Sequence, residues 1–367
     1  MIGLFTEGSL TPGRNPHSYY RELGEQIVIA DHLGFDFFST TQSYGLDHPD
    51  STFSVMPDPL ALFLAQAPRT ERIKILTAIT IAPFHHPAIA LSDFAAADVL
   101  SEGRVMLGLG RGHPWLYERL GFEQNESKER ASEFCRVVRA ILDHPAGRHT
   151  IEGRFWKMRD FELMPQFIQK PPPVFFAVSV SPSSVSEAVA SRFGILIPAY
   201  LGTPIELCES LMRAYREEYR ERWNAEGTVL LGVNFYGLKD ERAAIAMGSK
   251  ALAMQMRVFA RNMLLYAERC GAQYAAYPEI GKMFDEMSDP GVCEQRVMSD
   301  FPRHLAFWGN RPALEEKLRH VVERLRPDGL ILNIDCGGIA LEAAAASMRF
   351  FATELMPTVR GWLERRT

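Results

Sequence analysis

The chain has 367 residues, 47% hydrophobic and 23% charged, with a formal net charge of −5. This length and composition allow a full-sized core, as one large α/β barrel or as two ordinary domains. The mild acidity argues against nucleic acid or an anionic membrane surface as partner, and no apolar run is long enough to span a bilayer.

The N-terminal MIGLFTEGSLTPG lacks the charged start and long apolar run of a signal peptide. Five cysteines (Cys135, Cys208, Cys270, Cys293, Cys336) are scattered without a CxxC or a pairing pattern, as expected of a reduced cytoplasm.

A first strand is expected over Ile2 to Thr6, followed by a Gly/Pro loop and a helix marked by Tyr20, Leu23, Ile27 and Ala30 and stopped at Gly34. FDFFST is the second strand. The long loop TQSYGLDHPDSTFSVMPDP follows, and long loops in compact domains are usually functional. Asp58 and Pro59 open a helix to Ala67. IKILTAIT reads as one strand from Ile73 to Thr80. After the turn IAPFHHP comes the small-residue helix AIALSDFAAADVLSEG, then a strand from Val105 to Leu109 that ends in Gly110-Arg111-Gly112. This is a βαβ unit, normally right-handed.

Downstream, Phe134, Val137, Val138, Ile141 and Leu142 mark an amphipathic helix, and HTIEGRFWKMRDFELMPQ alternates as a β-hairpin. VFFAVS, ILIPA and LLGVNFYG are further strands. Thr203, Pro204 and Glu206 spell a capping box before a helix to about Trp223. A long helix is expected from about Glu241 to Arg269, then an irregular insertion at about 270–303, a helix through Leu314 to Leu325, the last strand GLILNI and a final helix to about Glu364. Eight strands, nearly all followed by helix, predict a (β/α)8 TIM barrel with insertions over 1–367. An open doubly wound sheet is weaker, since no GxGxxG follows the first strand.

In such a barrel the ligand sits at the carboxyl ends of the strands. Arg111, between Gly110 and Gly112, suits an anion, because glycines let backbone amides approach and a guanidinium binds two oxygens at once. Alone, a surface arginine in a tight turn is the plainer reading. The pairing with Ser181, Ser183 and Ser184 at a helix N-terminus favours one phosphate site built from both turns. His48, His85, His86 and His113 all fall on loops of the same rim. The chain has no HxH, HExxH or GxSxG, so neither a metal hydrolase nor an α/β-hydrolase nucleophile is expected.

GFDFFSTTQSYG, LTAITIAPFHHPAIALSDFAAADVLSEGRVMLGLGRG, EGRFWKMRDFELMPQFIQKPPP and FFATELMP together resemble the bacterial luciferase-like, flavin-dependent monooxygenases, over nearly the whole chain. The resemblance implies a (β/α)8 barrel that binds FMN at the strand ends. Reduced FMN (FMNH2) is delivered by a separate flavin reductase. O2 adds at the flavin C4a, and the resulting peroxide oxygenates a small organic substrate. By the motif match, Arg111 holds the FMN phosphate with help around Ser181, Ser183 and Ser184. Ala78 and Ile79 lie against the ring across a non-proline cis peptide. Gly110 sits under the ring, and Gly112 and His113 complete that turn. Phe5, Phe37, Phe38, Phe84 and Trp115 are candidates to keep the cavity dry, although core packing explains each of them too.

The family's Glu-His-His after the second strand is replaced by Gln42, Ser43 and Tyr44. The catalytic candidates are therefore Gln42, in the place of the glutamate, His48, as the substitute acid or base, and His86, which also helps to order its loop. The resemblance also implies a homodimer formed through outer helices. Two alternatives share the fold: a deazaflavin-dependent oxidoreductase, and a non-catalytic flavin-binding barrel subunit.

Overall fold

The computed structural model describes residues 1–11, 14–45, 52–179, 181–270, 286–299 and 305–365. Strands β1 (Ile2–Thr6), β2 (Phe37–Thr40), β3 (Lys74–Thr77), β5 (Val105–Gly110), β8 (Val174–Ala177), β9 (Gly194–Ile197), β10 (Val229–Gly237) and β12 (Gly329–Asp335) pair in parallel, and β12 returns to β1, so the ring closes as a barrel of eight. Two short strands lie off the ring: β4 (Thr80–Ile81) on β5, and β11 (Ala306–Gly309) on the upper half of β10. The hairpin of β6 (Arg148–Glu152) and β7 (Lys157–Glu162) is antiparallel and separate.

Side-chain alternation along the strands sorts the core into two shells. Phe5, Phe37, Leu76, Met106, Phe175, Leu196, Leu230 and Ile331, one from each ring strand, fill the barrel together with Ala78 and Tyr200. Their neighbours, such as Leu4, Phe38, Ile75, Leu107, Phe176, Ile195, Leu231 and Leu332, face outward into the shell under the helices. Phe5, Phe37 and Phe38 are packing residues of these two shells, and Phe37 also borders an open pocket at the start of the strands with Met106 and Phe175. Gly108 is demanded by the ring: a Cβ there would stand 1.8 Å from the Thr77 carbonyl oxygen.

Buried carboxylates pin the loops by accepting backbone amides. Asp31 takes the amides of Glu71, Arg72 and Ile73. Asp98 takes those of Ile168 and Gln169, and Glu133 takes those of Arg154, Phe155 and Trp156. At the other end of the barrel, Arg360 forks onto both oxygens of Asp36, which also accepts the Ile2 amide.

Four expectations change. The strand expected from Ile73 to Thr80 breaks at Ala78–Ile79, a cis peptide, into β3 and β4. The capping box is not formed. Pro204 is extended, helix α7 (Ile205–Trp223) starts after it, and the cap makes no side-chain hydrogen bond. Part of the insertion expected to be irregular at about 270–303 is the helix Pro290–Ser299, whose Cys293 and Val297 are buried against helix Glu241–Cys270. The final helix widens into a π turn at Phe351–Leu355, just before Pro357, which has no N–H to donate.

Gly108→Ala is expected to lower the urea unfolding midpoint by an amount equivalent to about 1–3 kcal/mol through overpacking. Gly361→Ala, with nothing near its Cβ position, should leave the midpoint unchanged or raise it slightly.

Candidate active site at the barrel mouth

The break in the third strand shapes the floor of the mouth. The side-chain oxygen of Gln42 accepts the Ile81 amide at 2.9 Å and lies 3.0 Å from His85 Nε2, while its Nε2 donates to the Pro57 carbonyl at 3.1 Å. Ala78 is held by its amide on the Thr40 carbonyl, 2.9 Å away. The kinked segment then turns Ile79 over Gly110, where a Cβ would meet Ile79 Cδ1 at 2.5 Å. Glycine at position 110 thus makes room for Ile79 itself, a different reason from the ring clearance expected. At Gly112, φ is +72°, and a Cβ would lie 2.9 Å from Ile81 Cγ2.

The two turns expected to share a phosphate do stand together. Strands β5 and β8 are neighbours, and the Cβ position of Gly110 is 3.3 Å from Ala177 Cβ. Arg111 has no carboxylate partner among the described residues. Its carbonyl accepts the Tyr117 hydroxyl, and its guanidinium is close enough to act on that phenol electrostatically. Helix Pro182–Ala190 begins beside it. The Ser181 hydroxyl makes no cap bond and lies 2.8 Å from the Ser183 hydroxyl, and Ser184 is buried at the first turn. A cation without a carboxylate partner on one turn, and a helix N-terminus on the turn of the neighbouring strand, are groups that suit an anion.

The histidines divide. His113 stacks on Trp115 with ring centroids 4.3 Å apart and meets Phe53 and Phe259 edge-on. Burial pushes its pKa down to about 4, so the ring is neutral near pH 7. The buried indole N–H of Trp115 has no partner. His85 touches Gln42 and, at 3.4 Å, the Tyr44 hydroxyl; burial lowers its pKa as well, against the opposing pull of Asp93 and Asp58. His86 lies elsewhere: Nδ1 caps helix Pro87–Leu100 by accepting the Ala88 amide, and Nε2 meets the Lys157 carbonyl of the hairpin. Both ring nitrogens are engaged in ordering the loop. Both polar atoms of the Gln42 amide are likewise engaged in hydrogen bonds that hold the floor segment. His48 lies outside the described residues. Phe84 packs on Tyr117 and Phe122 and joins the apolar cluster of Phe53, Ile81 and Trp115.

One residue escaped the sequence reading. Glu7, just past β1, is 2% exposed and carries a carboxyl that burial pushes up to about 8, opposed by a hydrogen bond from Thr41. Its position two residues after the inward Phe5 was the available signal. Among the described residues, no group of three or more His, Cys, Asp or Glu is arranged to hold a metal ion, and no helix is long and apolar enough to cross a membrane.

Comparison with known proteins agrees with this arrangement. Residues 1–323 match the model of the luciferase-like monooxygenases. The oxygenase component of a flavin-dependent trigonelline monooxygenase from Acinetobacter baylyi is 27% identical over 247 residues, covering 65% of this chain and 64% of the relative. An F420-dependent glucose-6-phosphate dehydrogenase from Microbacterium testaceum is 32% identical over 153 residues, 41% of this chain and 45% of that one. The crystal structure of the monooxygenase RslO1 from Streptomyces bottropensis superposes with a TM-score of 0.77 at 21% identity, covering 98% of this chain and 99% of the other.

The pKa of His113 supplies a sign for stability against pH. A depressed folded-state value contributes stability that is present above the ordinary 6.5 and is lost as pH falls from there toward about 4. Urea denaturation at pH 7 and pH 4 should reveal a loss of at most about 3 kcal/mol from this group. His113→Phe, which keeps the ring stack, should flatten that part of the profile.

Proposed function

The chain belongs to the luciferase-like monooxygenase family, and from that premise we propose that it is an FMN-dependent monooxygenase. It uses FMNH2 from a separate flavin reductase, together with O2, to oxygenate a small organic substrate. The observation that carries this reading is the Arg111 guanidinium, without a carboxylate partner among the described residues, on the turn of β5, whose neighbour β8 leads into the Ser181–Ser184 helix N-terminus.

The residues present fit a phosphorylated flavin. Arg111, with the hydroxyls and first-turn amides around Ser183 and Ser184, holds the phosphate. Ala78 and Ile79 support the ring system, with Gly110 and Gly112 giving the backbone room to turn beneath it. Reduced FMN, when bound, supplies the two electrons that activate O2. The chain's own part is binding, orientation and exclusion of water. The Gln42 amide keeps the floor segment in place. The neutral rings of His113, Trp115, Phe53 and Phe259 form an apolar wall that a charged imidazole would spoil.

His48 stays in this reading as the sequence's candidate acid or base. Pairing of two barrels is part of it too, supported by Ile89 and Leu100, which are exposed on one face of helix Pro87–Leu100.

A second reading, hydride transfer with a deazaflavin, is kept because of the F420-dependent relative. Oxygen uptake with FMNH2 and reduced F420 in parallel separates the two: consumption with FMNH2 supports the monooxygenase, and reactivity with the deazaflavin alone supports the other. Arg111→Ala should weaken FMN binding by roughly 1–2 kcal/mol, about tenfold or a little more in Kd, read by flavin absorbance titration. Equal affinity in the two proteins would reject the phosphate assignment. His48→Ala should lower turnover with FMN affinity intact, and unchanged turnover rejects His48.

A further inference from the structure

We propose that the Glu7 carboxyl is the proton donor of the barrel mouth, giving its proton to the oxygen that is reduced there. This rests on the FMN reading above.

Position comes first. Glu7 follows Phe5 by two residues, so it faces the same interior one layer nearer the mouth. Thr6 pairs with Thr40, and Thr40 with Thr77. That register sets Glu7, Thr41 and Ala78 at one level, so the carboxyl stands level with the Ala78–Ile79 floor. Phe5 stacks on Tyr200 at 4.5 Å, and Glu7 acts electrostatically on that phenol.

The surroundings distinguish Glu7 from the chain's structural carboxylates. Asp31, Asp98 and Glu133 each accept two or three backbone amides. Among the described residues, Glu7 has the Thr41 hydroxyl and, at 3.3 Å, Gln255 Nε2 from the long helix Glu241–Cys270 as its side-chain partners. Beyond Gln255 stand Asn333 and Asn234, both neutral, and the Asn333 side-chain oxygen is buried without a partner. Among the described residues, Tyr200 is the titratable group coupled to Glu7 on its side of the barrel. Arg14 and Asp335 lie on the far side of β1, where Asp335 accepts from Tyr19 and Gln26 and Arg14 covers the Tyr19 ring. A carboxylate at Glu7 would therefore be an uncompensated buried charge, and the group holds its proton near pH 7 instead, with its pKa at about 8. A neutral acid poised close to ambient pH is what proton delivery needs.

The balance closes without another reagent. With substrate S, FMNH2 + O2 + S gives FMN + SO + H2O. The oxygen atom that is not transferred leaves as water and must be protonated. Glu7 supplies that proton, and the proton released by the flavin restores its carboxyl. Without substrate, FMNH2 + O2 gives FMN + H2O2, and the same group serves the departing peroxide.

The test uses the full chain with FMNH2 and O2 as probes, and also a measurement that involves no flavin. Infrared spectra of the protein alone at pH 7 should contain a protonated carboxylic acid band that is absent from Glu7→Gln and fades as pH rises through about 8. Comparing the two proteins removes the contribution of every other carboxyl. In stopped-flow, flavin reoxidation should slow by about 10²-fold in Glu7→Gln at pH 7, with FMN affinity and thermal midpoint retained. The fall in rate above pH 8 in the parent should be missing from the variant. Gln255→Met removes a donor to Glu7 and should move that limb to higher pH, which a purely structural Glu7 would not do. An infrared difference without the acid band, or a Glu7→Gln variant with the parent's rate and pH profile, overturns the proposal. A parent that takes up no FMN overturns the flavin reading and this proposal with it, whereas FMN uptake with an unchanged variant overturns the proposal alone.

Discussion

The oxygen of one side-chain amide, Gln42, carries the geometry on which the mouth of this barrel depends. A parallel strand that ran on from Ile73 through Thr80 would keep its ladder and send its side chains alternately in and out. The third strand instead stops at Thr77, turns through the cis Ala78–Ile79 peptide, and resumes at Thr80 against β5. The freed Ile81 amide needs an acceptor, and Gln42 from the neighbouring strand provides it. His85 is drawn to the same oxygen. Ile79 then fills the space above Gly110, and Ile81 the space beside Gly112. Both glycines of the GRG turn are thus explained by the segment that Gln42 holds.

That arrangement also accounts for the chemical character of the mouth. With the floor set by apolar Ala78 and Ile79 and one wall by the rings of Phe53, His113, Trp115 and Phe259, the ionisable groups inside are held neutral. His113 is pushed down and Glu7 is pushed up for the same reason, removal from water without a compensating charge. The cation, Arg111, stands at the rim, where solvent or a ligand anion can balance it. A neutral interior with a charged rim is the character that the proposed function draws on.

The sequence resemblance and the tertiary structure contribute different parts of the site. The motif match brought Ala78, Ile79, Arg111 and the serine turn together before any coordinates, and the neighbouring β5 and β8 place their turns side by side. It grouped His86 with the catalytic residues because of its position in the HHP turn. The fold separates the two histidines, one toward Gln42 and one toward the hairpin. It also passed over Glu7, since a lone glutamate at a strand end gives no pattern, and its meaning comes from Gln255, some 250 residues away, and from the absence of a nearby cation.

What the sequence by itself determined is the barrel. The apolar strand runs, the glycine and proline stops, and the alternation of the hairpin are local signals, and eight of them in series leave little else to build. What only the tertiary structure decided are the features whose cause is distant along the chain. The short β11 has too little apolar run to announce itself and exists because β10 extends far enough to pair with it. Helix Pro290–Ser299 forms where burial of Cys293 and Val297 supports it. The Thr203 cap fails because Pro204 is extended where the helix was expected to begin. The protonation of Glu7 and His113 depends on how completely other elements close over them, which no local pattern encodes.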